Sequence, residues 1–150
     1  MQGLTPSLSA RALRLLSLRE HSRRELERKL GQFEQVPGEL ATVLDGLQAK
    51  GFISEARVVE SVLHQRAGKL GLARIRNELQ ARGVDAAAIA SAIDQLRVSE
   101  LGRAREVWRK KFGQPPVDVA DRARQMRFLA ARGFDAEIVR RVVAGQDDPD

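Results

Sequence analysis

The chain of 150 residues has no cysteine, no tyrosine, one tryptophan and five phenylalanines. Without cysteine it can form neither a disulfide framework nor a thiolate metal site. It also lacks an apolar run near the ~20 residues of a membrane-spanning helix, and its start does not resemble a signal peptide. Aromatic residues and β-branched runs, which strands favour, are scarce. The sequence therefore predicts a soluble, cytoplasmic, all-helical protein.

Signatures of catalysis are missing as well. There is no GxxxxGK phosphate loop, no nucleophile elbow and no paired-acid motif. His21 and His64 are isolated, with no second ligand at the spacing that a metal site requires. We therefore expect neither enzymatic activity nor a cofactor.

Basic residues outnumber acidic ones, and the surplus is unevenly distributed. The formal net charge is +6. Residues 1–54 hold 8 Lys and Arg against 6 Asp and Glu, residues 55–100 hold 7 against 6, and residues 101–146 hold 11 against 5. The excess positive charge therefore lies in the last third of the chain. The final residues, 146–150, are polar and rich in acids, and we predict that they form a disordered acidic tail.

The chain repeats itself at intervals of 45 to 50 residues. The stretch 71–96 contains two short amphipathic helices, and Ile75 and Leu79 form the apolar stripe of the first. Shifted back by 49 residues, this stripe falls on Leu26 and Leu30. Because so short a helix pair cannot hide its apolar faces alone, the copies must pack together. A repeat of this length predicts a tandem array of helical units.

A third copy follows at a forward shift of 50 residues. The corner ARGVDA, which ends the first helix of the pair at Gly83, aligns with ARGFDA around Gly133. Glycine favours the left-handed backbone that ends a helix, and the aspartate after it can cap the next one. This copy is the loosest, because Ile75 falls opposite Gln125. Three copies together span almost the whole chain.

Capping and breaking residues divide the chain into nine predicted helices. Ser22 and Glu25 form a capping box, Pro37 fits a first helical turn, and Ser99 can cap the seventh helix. The predicted helices lie at about 8–20, 22–30, 37–50, 54–67, two within 71–96, 100–112, 117–131 and 136–144. We predict an elongated, curved array of three three-helix modules with the boundaries 8–54, 55–98 and 99–145.

Four stretches resemble the RecX family of bacterial recombination regulators. GLARIRNELQARGV (71–84) is similar to the family's G-x-x-R-I-x-x-E-L-x-x-[KR]-G-[IV] signature, and MRFLAARGF (126–134) to its second signature near the C-terminus. ALRLLSLREHSRRELERKL (12–30) and GFISEARVVESVL (51–63) resemble two further blocks. The likeness covers roughly residues 8–145. It departs where Val58 follows Arg57, since the family often has an aromatic there.

The resemblance implies a partner as well as a fold. It implies three tandem three-helix modules, no catalysis, and binding to the filament that the RecA recombinase forms on DNA. Family members lie in the helical groove of that filament and restrain strand exchange, ATP hydrolysis and co-protease activity. The expected partners are therefore the RecA filament and single- or double-stranded DNA bound with it. We expect the protein to act as a monomer.

The basic residues of the third module are the candidate binding site. Arg105 and Arg109 share one helix face, and only Glu106 interrupts the basic run of the seventh helix, so an uncompensated positive field is expected there. The plain alternative is a solvated surface. Phosphates of DNA or acidic surfaces in the recombinase groove would both fit. The candidate residues are Arg105, Arg109, Lys110, Lys111, Arg122, Arg124, Arg127 and Arg132.

Two other functions fit a helical protein of this kind. A stand-alone DNA-binding protein would use the pair 71–96 as a helix-turn-helix, but its second helix begins Asp-Ala-Ala-Ala and is a poor reader of bases. A peptide-binding scaffold would leave an apolar strip open on one face. Trp108 has apolar neighbours at helical spacing and is expected in the core. Glu78 is expected to pair with Arg74 and Arg82, each four residues away.

Overall fold

The computed structural model describes residues 5–145, so the predicted tail at 146–150 lies outside the described residues. Within this range the chain forms nine α-helices and no strand, which confirms the all-helical prediction. A single 3-10 turn, Gly31–Phe33, follows the second helix. The helices are α1 (Leu8–Leu18), α2 (Arg23–Leu30), α3 (Glu39–Ala49), α4 (Glu55–Arg66), α5 (Leu72–Ala81), α6 (Ala86–Arg97), α7 (Glu100–Lys111), α8 (Val119–Ala131) and α9 (Ala136–Ala144).

The capping box predicted for α2 is present. Ser22 Oγ accepts a hydrogen bond from the Glu25 N–H at 3.1 Å, and Glu25 Oε1 accepts one from the Ser22 N–H at 3.1 Å. The prediction for Ser99 is wrong, because its hydroxyl donates back to the Leu96 carbonyl instead of capping α7. Side-chain caps therefore fix some of the helix starts, but not all of them.

Two helices begin later than predicted. Helix α3 starts at Glu39 and not at Pro37, because Gly38 before it has a left-handed φ of 87° that is incompatible with the helix. Helix α8 starts at Val119, because Asp118 is its N-cap and accepts a hydrogen bond from the Asp121 N–H at 2.7 Å.

Each successive group of three helices has an apolar core of its own. We call α1–α3 module 1, α4–α6 module 2 and α7–α9 module 3. Leu30, Leu79 and Leu129 occupy the same place in the repeat, and each is fully or almost fully buried in the core of its own module. The helix pairs that pack most extensively belong to the same module. The repeat in the sequence is therefore a repeat in structure.

The array is extended rather than rounded. Within residues 5–145, no two helices of different modules pack extensively, so contacts between modules are few. Three small cores in succession leave more surface exposed than one large core, and this surface is available to partners.

Module 3 departs from the repeat at Gln125, the position that corresponds to Ile75. Gln125 is buried, and its Oε1 accepts a hydrogen bond from the indole N–H of Trp108 at 2.7 Å. Its amide nitrogen donates to the Gln114 carbonyl at 3.2 Å, so the buried side chain is satisfied. Trp108 packs against the module 3 core, as predicted.

Candidate nucleic-acid interface

The basic residues of α7 point in different directions. Arg105, Arg109 and Phe112 share one face because they are four and three residues apart. Lys110 lies about 100° around the helix from Arg109, at 3.6 residues per turn. Arg105 is half-buried, whereas the side chains of Arg109 and Lys110 are 64% and 70% exposed.

Glu106 compensates part of this charge. Its Oε1 lies 2.6 Å from Arg109 Nη2 and 3.9 Å from Lys110 Nζ. The hydrogen bond from Arg109 lowers the pKa of the Glu106 carboxyl below its usual value, and the same bond raises the pKa of Arg109. The positive field expected along α7 is therefore compensated in part, because one carboxylate contacts two of its cations.

Two phenylalanine rings contact three of the basic side chains on or beside α7 and α8. Phe112 and Phe128 meet edge to face with ring centroids 5.3 Å apart. Lys111 and Arg132 both lie over the Phe128 ring, at 5.5 and 4.6 Å from its centroid, and Arg124 lies 5.1 Å from the centroid of Phe112. Cation–π contacts of this kind hold the charges in place. Three of the predicted residues are thus brought together in what we call the aromatic–basic patch.

The remaining basic residues of α8 divide between two sides of the helix. Arg127 is exposed and shares the face of Arg124, three residues before it. Arg122 is only two residues from Arg124 and therefore projects about 200° away from it. Arg124 also pairs with Asp121 at 2.7 Å, and this hydrogen bond lowers the pKa of the Asp121 carboxyl. Arg122 is thus separate from the patch, whereas Arg127 borders it.

Backbone hydrogen bonds join module 2 to module 3. The Gly71 N–H donates to the Arg132 carbonyl at 2.8 Å, and the Ala73 N–H donates to the Gly133 carbonyl at 3.2 Å. The Arg74 guanidinium adds a bond to the Ala131 carbonyl at 2.9 Å. The start of α5 is thereby fixed against the corner between α8 and α9.

This contact creates an open cleft that the sequence did not reveal. The cleft has a volume of ≈ 490 Å³ and lies beside the corner, so that Arg132 belongs both to it and to the aromatic–basic patch. We call it the junction cleft. It is lined by Arg66, Lys69, Leu70, Arg74, Asn77, Glu78 and Arg132.

Sequence reasoning missed this cleft for a definite reason. Its cations come from α4, the loop after α4, α5 and the α8–α9 corner, and only the packing of modules 2 and 3 brings them together. The expected Arg74–Glu78 pair is absent from the ion pairs of the described residues. Glu78 instead accepts hydrogen bonds from Arg66 Nε at 3.2 Å on both oxygens, and Arg82 lies 3.6 Å away. The only signal in the sequence was the repeated Ala-Arg-Gly corner.

Residues 5–145 contain neither a candidate metal-binding cluster nor a candidate membrane-spanning helix. No group of three or more His, Asp or Glu side chains there could hold a metal ion. No helix in that range is long and apolar enough to cross a bilayer. His21 is buried, with Nδ1 3.0 Å from the Arg19 carbonyl and Nε2 3.0 Å from Lys29 Nζ. Burial lowers the pKa of His21, so the ring is a neutral structural group near pH 7.

Comparison with known proteins identifies close relatives. Residues 54–93 match the family model of the second three-helix domain of RecX, and residues 99–143 match that of the third. The regulatory protein RecX of Leptothrix cholodnii is 55% identical over 137 residues, covering 91% of this chain and 87% of the relative. That of Ralstonia nicotianae is 45% identical over 141 residues, covering 94% and 89%. Both relatives are named regulatory proteins, which agrees with the expectation of a non-enzymatic chain.

Solved structures share the fold. The crystal structure of RecX from Lactobacillus salivarius has a TM-score of 0.71 at 19% identity, covering 92% of this chain and 93% of that one. A second crystal structure, of a regulatory protein RecX, has a TM-score of 0.69 at 17% identity, covering 95% and 81%. The tandem arrangement of three-helix domains is therefore common to these proteins.

Proposed function

Because the chain belongs to the RecX family of regulatory proteins, we propose that it binds the filament formed by the RecA recombinase on DNA and modulates it. The expected effect is mainly inhibition of strand exchange, ATP hydrolysis and co-protease activity. The chain performs no catalysis of its own and acts in the cytoplasm as a monomer. Family membership over more than nine-tenths of the chain is the observation that carries this proposal.

The shape of the molecule supports filament binding. Three small modules in succession present a long surface, which suits a partner that is itself a repeating assembly. A peptide-binding scaffold would need an open apolar strip along the array. Among the exposed apolar side chains, Leu18 and Phe33 line one groove of module 1, whereas Phe52 and Val98 lie outside it. That groove is confined to module 1 and does not extend along the array.

The basic residues of module 3 are the proposed contact with DNA or with acidic surfaces of the filament. Lys111, Arg124 and Arg132 are held on two aromatic rings, with Arg127 beside them. Arg105, Arg109 and Lys110 extend the positive surface along α7, and Arg122 lies apart. Arg is well suited to this role, because its planar guanidinium can bind phosphate or carboxylate through two N–H groups.

A stand-alone helix-turn-helix protein is the alternative, and the geometry of module 2 disfavours it. The Asp85 side chain accepts a hydrogen bond from the Ala87 N–H at 3.1 Å, and the Asp85 N–H donates to Glu55 Oε1 at 2.5 Å. The first turn of α6 therefore has two carboxylates and several alanines at the positions where a base-reading helix carries side chains that donate hydrogen bonds to bases.

The test is an assay of RecA ATPase and strand exchange on single-stranded DNA, with and without the protein. We expect inhibition at amounts stoichiometric with RecA. An unchanged rate of both reactions would contradict the proposal.

The site assignment has a separate test. The double variant Arg109→Glu/Lys110→Glu should weaken the effect on RecA, because both side chains are exposed and belong to the basic surface. Arg14→Glu/Lys50→Glu makes the same change of net charge at exposed positions of module 1 and is the matched control. Equal effects of the two variants would reject a specific contribution from α7.

A further inference from the structure

Each arginine of the junction cleft is positioned by one contact that leaves other N–H groups unused. Arg66 engages Glu78 through Nε alone, and Arg74 engages the Ala131 carbonyl through Nη1 alone. The Arg132 guanidinium is held over the ring of Phe128 at 4.6 Å, and no hydrogen bond from it is present among the described residues. Guanidinium groups fixed in this way need little further ordering to bind an oxyanion.

The charge balance of the cleft is strongly positive. Four cations line it, and Glu78 is the single acid. That carboxylate is already shared between Arg66 and Arg82. Lys69 is exposed, and its ammonium group has no ion-pair or hydrogen-bond partner within residues 5–145. The cleft therefore carries positive charge that the protein does not neutralise.

Other cavities at the junctions have a different character. The cavity on the opposite side of the same junction contains Arg76 and Arg97, but Glu100 and Asp135 line it as well. The cavity between modules 1 and 2 contains Arg23 and Arg24 together with Glu27, Glu55 and Asp85. These mixed linings suit no anion. Only the junction cleft, among these three, combines several cations with one compensated acid.

We infer that the junction cleft binds a phosphate of a single-stranded nucleic-acid backbone, which continues over Arg132 onto the aromatic–basic patch. The inference rests on the proposed function, which supplies the nucleic acid. The cations come from modules 2 and 3, so a bound phosphate joins the two modules and holds their relative position. The ring faces of Phe112 and Phe128 are occupied by cations, so the bound strand is held by its backbone and not by stacked bases.

The experiment measures binding of a fluorescent oligothymidylate by anisotropy over a range of salt concentrations, without RecA. Lys69→Gln is the primary variant, because its side chain makes no contact that folding needs. A plot of log affinity against log salt has a negative slope, and each lost phosphate contact should reduce the magnitude of that slope by about 0.7. Each lost contact should also weaken binding at low salt on the order of fivefold. Lys69→Gln/Arg132→Gln should reduce the magnitude of the slope by about 1.4. Arg76→Gln, on α5 but facing the mixed cavity, is the matched control and should change neither quantity.

The outcomes separate this inference from the proposed function. A salt slope that is the same in wild type and in both cleft variants would overturn the cleft, even where the protein still inhibits the RecA ATPase. If the cleft variants lost that inhibition while their oligonucleotide binding stayed unchanged, the inference would also be overturned. A carboxylate of a protein partner would then be the ligand.

Inorganic phosphate is added at constant ionic strength to distinguish a site for free phosphate from a site for a nucleic-acid backbone. Because the ionic strength is constant, we expect the strand to stay bound. Tight binding of inorganic phosphate that is lost in Lys69→Gln, without any effect of this variant on the strand, would overturn the nucleic-acid assignment.

Discussion

The two junctions between modules use the same corner but different donors. At the first junction, the carbonyls of Ala81 and Arg82 accept hydrogen bonds from the Arg28 guanidinium at 2.8 Å and from the Ser22 hydroxyl. At the second junction, the equivalent carbonyls of module 3 accept from the Arg74 guanidinium at 2.9 Å and from the Gly71 N–H at 2.8 Å. Thus a side-chain hydroxyl at one junction is replaced by a backbone N–H at the other.

The residue at the start of the docking helix explains this difference. Gly71 occupies the place in the repeat that Ser22 occupies 49 residues earlier. A Cβ atom on Gly71 would lie 2.4 Å from backbone atoms of Gly133 and Phe134, so only glycine permits this approach. With serine at position 22, the start of α2 lies farther from the corner of module 2, and the serine hydroxyl makes the hydrogen bond to the Arg82 carbonyl. The second junction therefore includes backbone-to-backbone hydrogen bonds, whereas those named at the first junction are donated by side chains.

Arginine side chains add further contacts at both junctions. Arg57 joins the first junction through an exposed ion pair with Glu20 at 3.0 Å. At the second junction, Arg103 of α7 donates to the Ala67 and Leu70 carbonyls at 2.7 and 2.8 Å. Burial lowers the pKa of Arg103, although arginine remains charged at any ordinary pH. We conclude that modules 2 and 3 form the more rigid pair.

The largest effect is expected from Gly71→Ala. The added methyl group would contact rigid backbone, so modules 2 and 3 must separate, at a cost of about 3 kcal/mol in the free energy of unfolding. Urea denaturation followed by circular dichroism measures it. Gly102→Ala is the control, because this exposed residue of α7 has no atom within 4 Å of an added Cβ. The control should gain about 0.5–1 kcal/mol from helix propensity. A stable Gly71→Ala protein would contradict the backbone-contact account.

Alanine substitution of the corner glycines should also destabilise the second junction more than the first. Gly83 and Gly133 both have a left-handed backbone, with φ of 74° and 93°. An added Cβ at Gly133 meets the backbone nitrogen of Arg74 at 2.7 Å, whereas at Gly83 the nearest atoms belong to the Arg24 side chain. The contacts at Gly133 lie at 2.4–2.8 Å and include backbone, whereas those at Gly83 lie at 2.7–3.5 Å. Alanine should therefore cost about 1 kcal/mol more at Gly133 than at Gly83.

A third glycine separates conformational strain from crowding at these corners. Gly51 has a φ of 82° and no atom within 4 Å of an added Cβ, so Gly51→Ala reports strain alone. Strain of this kind costs about 1–2 kcal/mol. If all three alanine variants lost the same free energy of unfolding in urea, contact between modules would contribute nothing at either corner.

A smaller effect is expected where side chains make the contact. Ser22→Ala removes both the cap of α2 and the hydroxyl bond to the Arg82 carbonyl, at a combined cost of about 2 kcal/mol. Ser54→Ala removes only the cap of α4 and should cost about 1 kcal/mol. The difference in denaturation free energy between the two variants measures the junction. Equal losses would mean that the bond between modules is not stabilising.

Local features of the fold were predictable from the sequence, because they depend on neighbouring residues. The spacing of Ile75 and Leu79 gave the buried stripe of α5, and the Ser22–Glu25 pattern gave the start of α2. The late start of α3 was missed because the backbone of Gly38, and not the ring of Pro37, determines where that helix can begin.

The candidate site was only partly predictable. The basic content of module 3 was visible, but its grouping around Phe112 and Phe128 depends on how α7 packs against α8. Gly71 gave no sign of its close approach to the next module, because helix-ending loops contain glycine for other reasons. Lys69 and its neighbours in the cleft were overlooked for the same reason, since long-range packing decides which charges meet.

The smallest expected effect is a pH dependence confined to module 1. His21 corresponds in the repeat to Leu70, and it is buried beside Arg19, Lys29 and Glu25. Burial lowers its pKa below 6.5, so the stability that the neutral ring provides is complete above pH 6.5 and is lost as the pH falls through the lowered value. Burial alone would raise the pKa of Glu25, but the hydrogen bond from Arg19 lowers it below 4.5, so Glu25 stays ionised down to pH 5.

Thermal unfolding at pH 7.5 and pH 5.0 tests this dependence. The melting temperature of the wild type should fall more between the two pH values than that of His21→Leu, which places the module 2 residue in module 1. The absolute stability of the variant is irrelevant to this comparison, because only the change with pH is measured. His64→Leu, at an exposed position of α4, should keep the wild-type dependence. An equal fall in His21→Leu would assign the acid sensitivity to other groups and would remove the titratable difference between the first two modules.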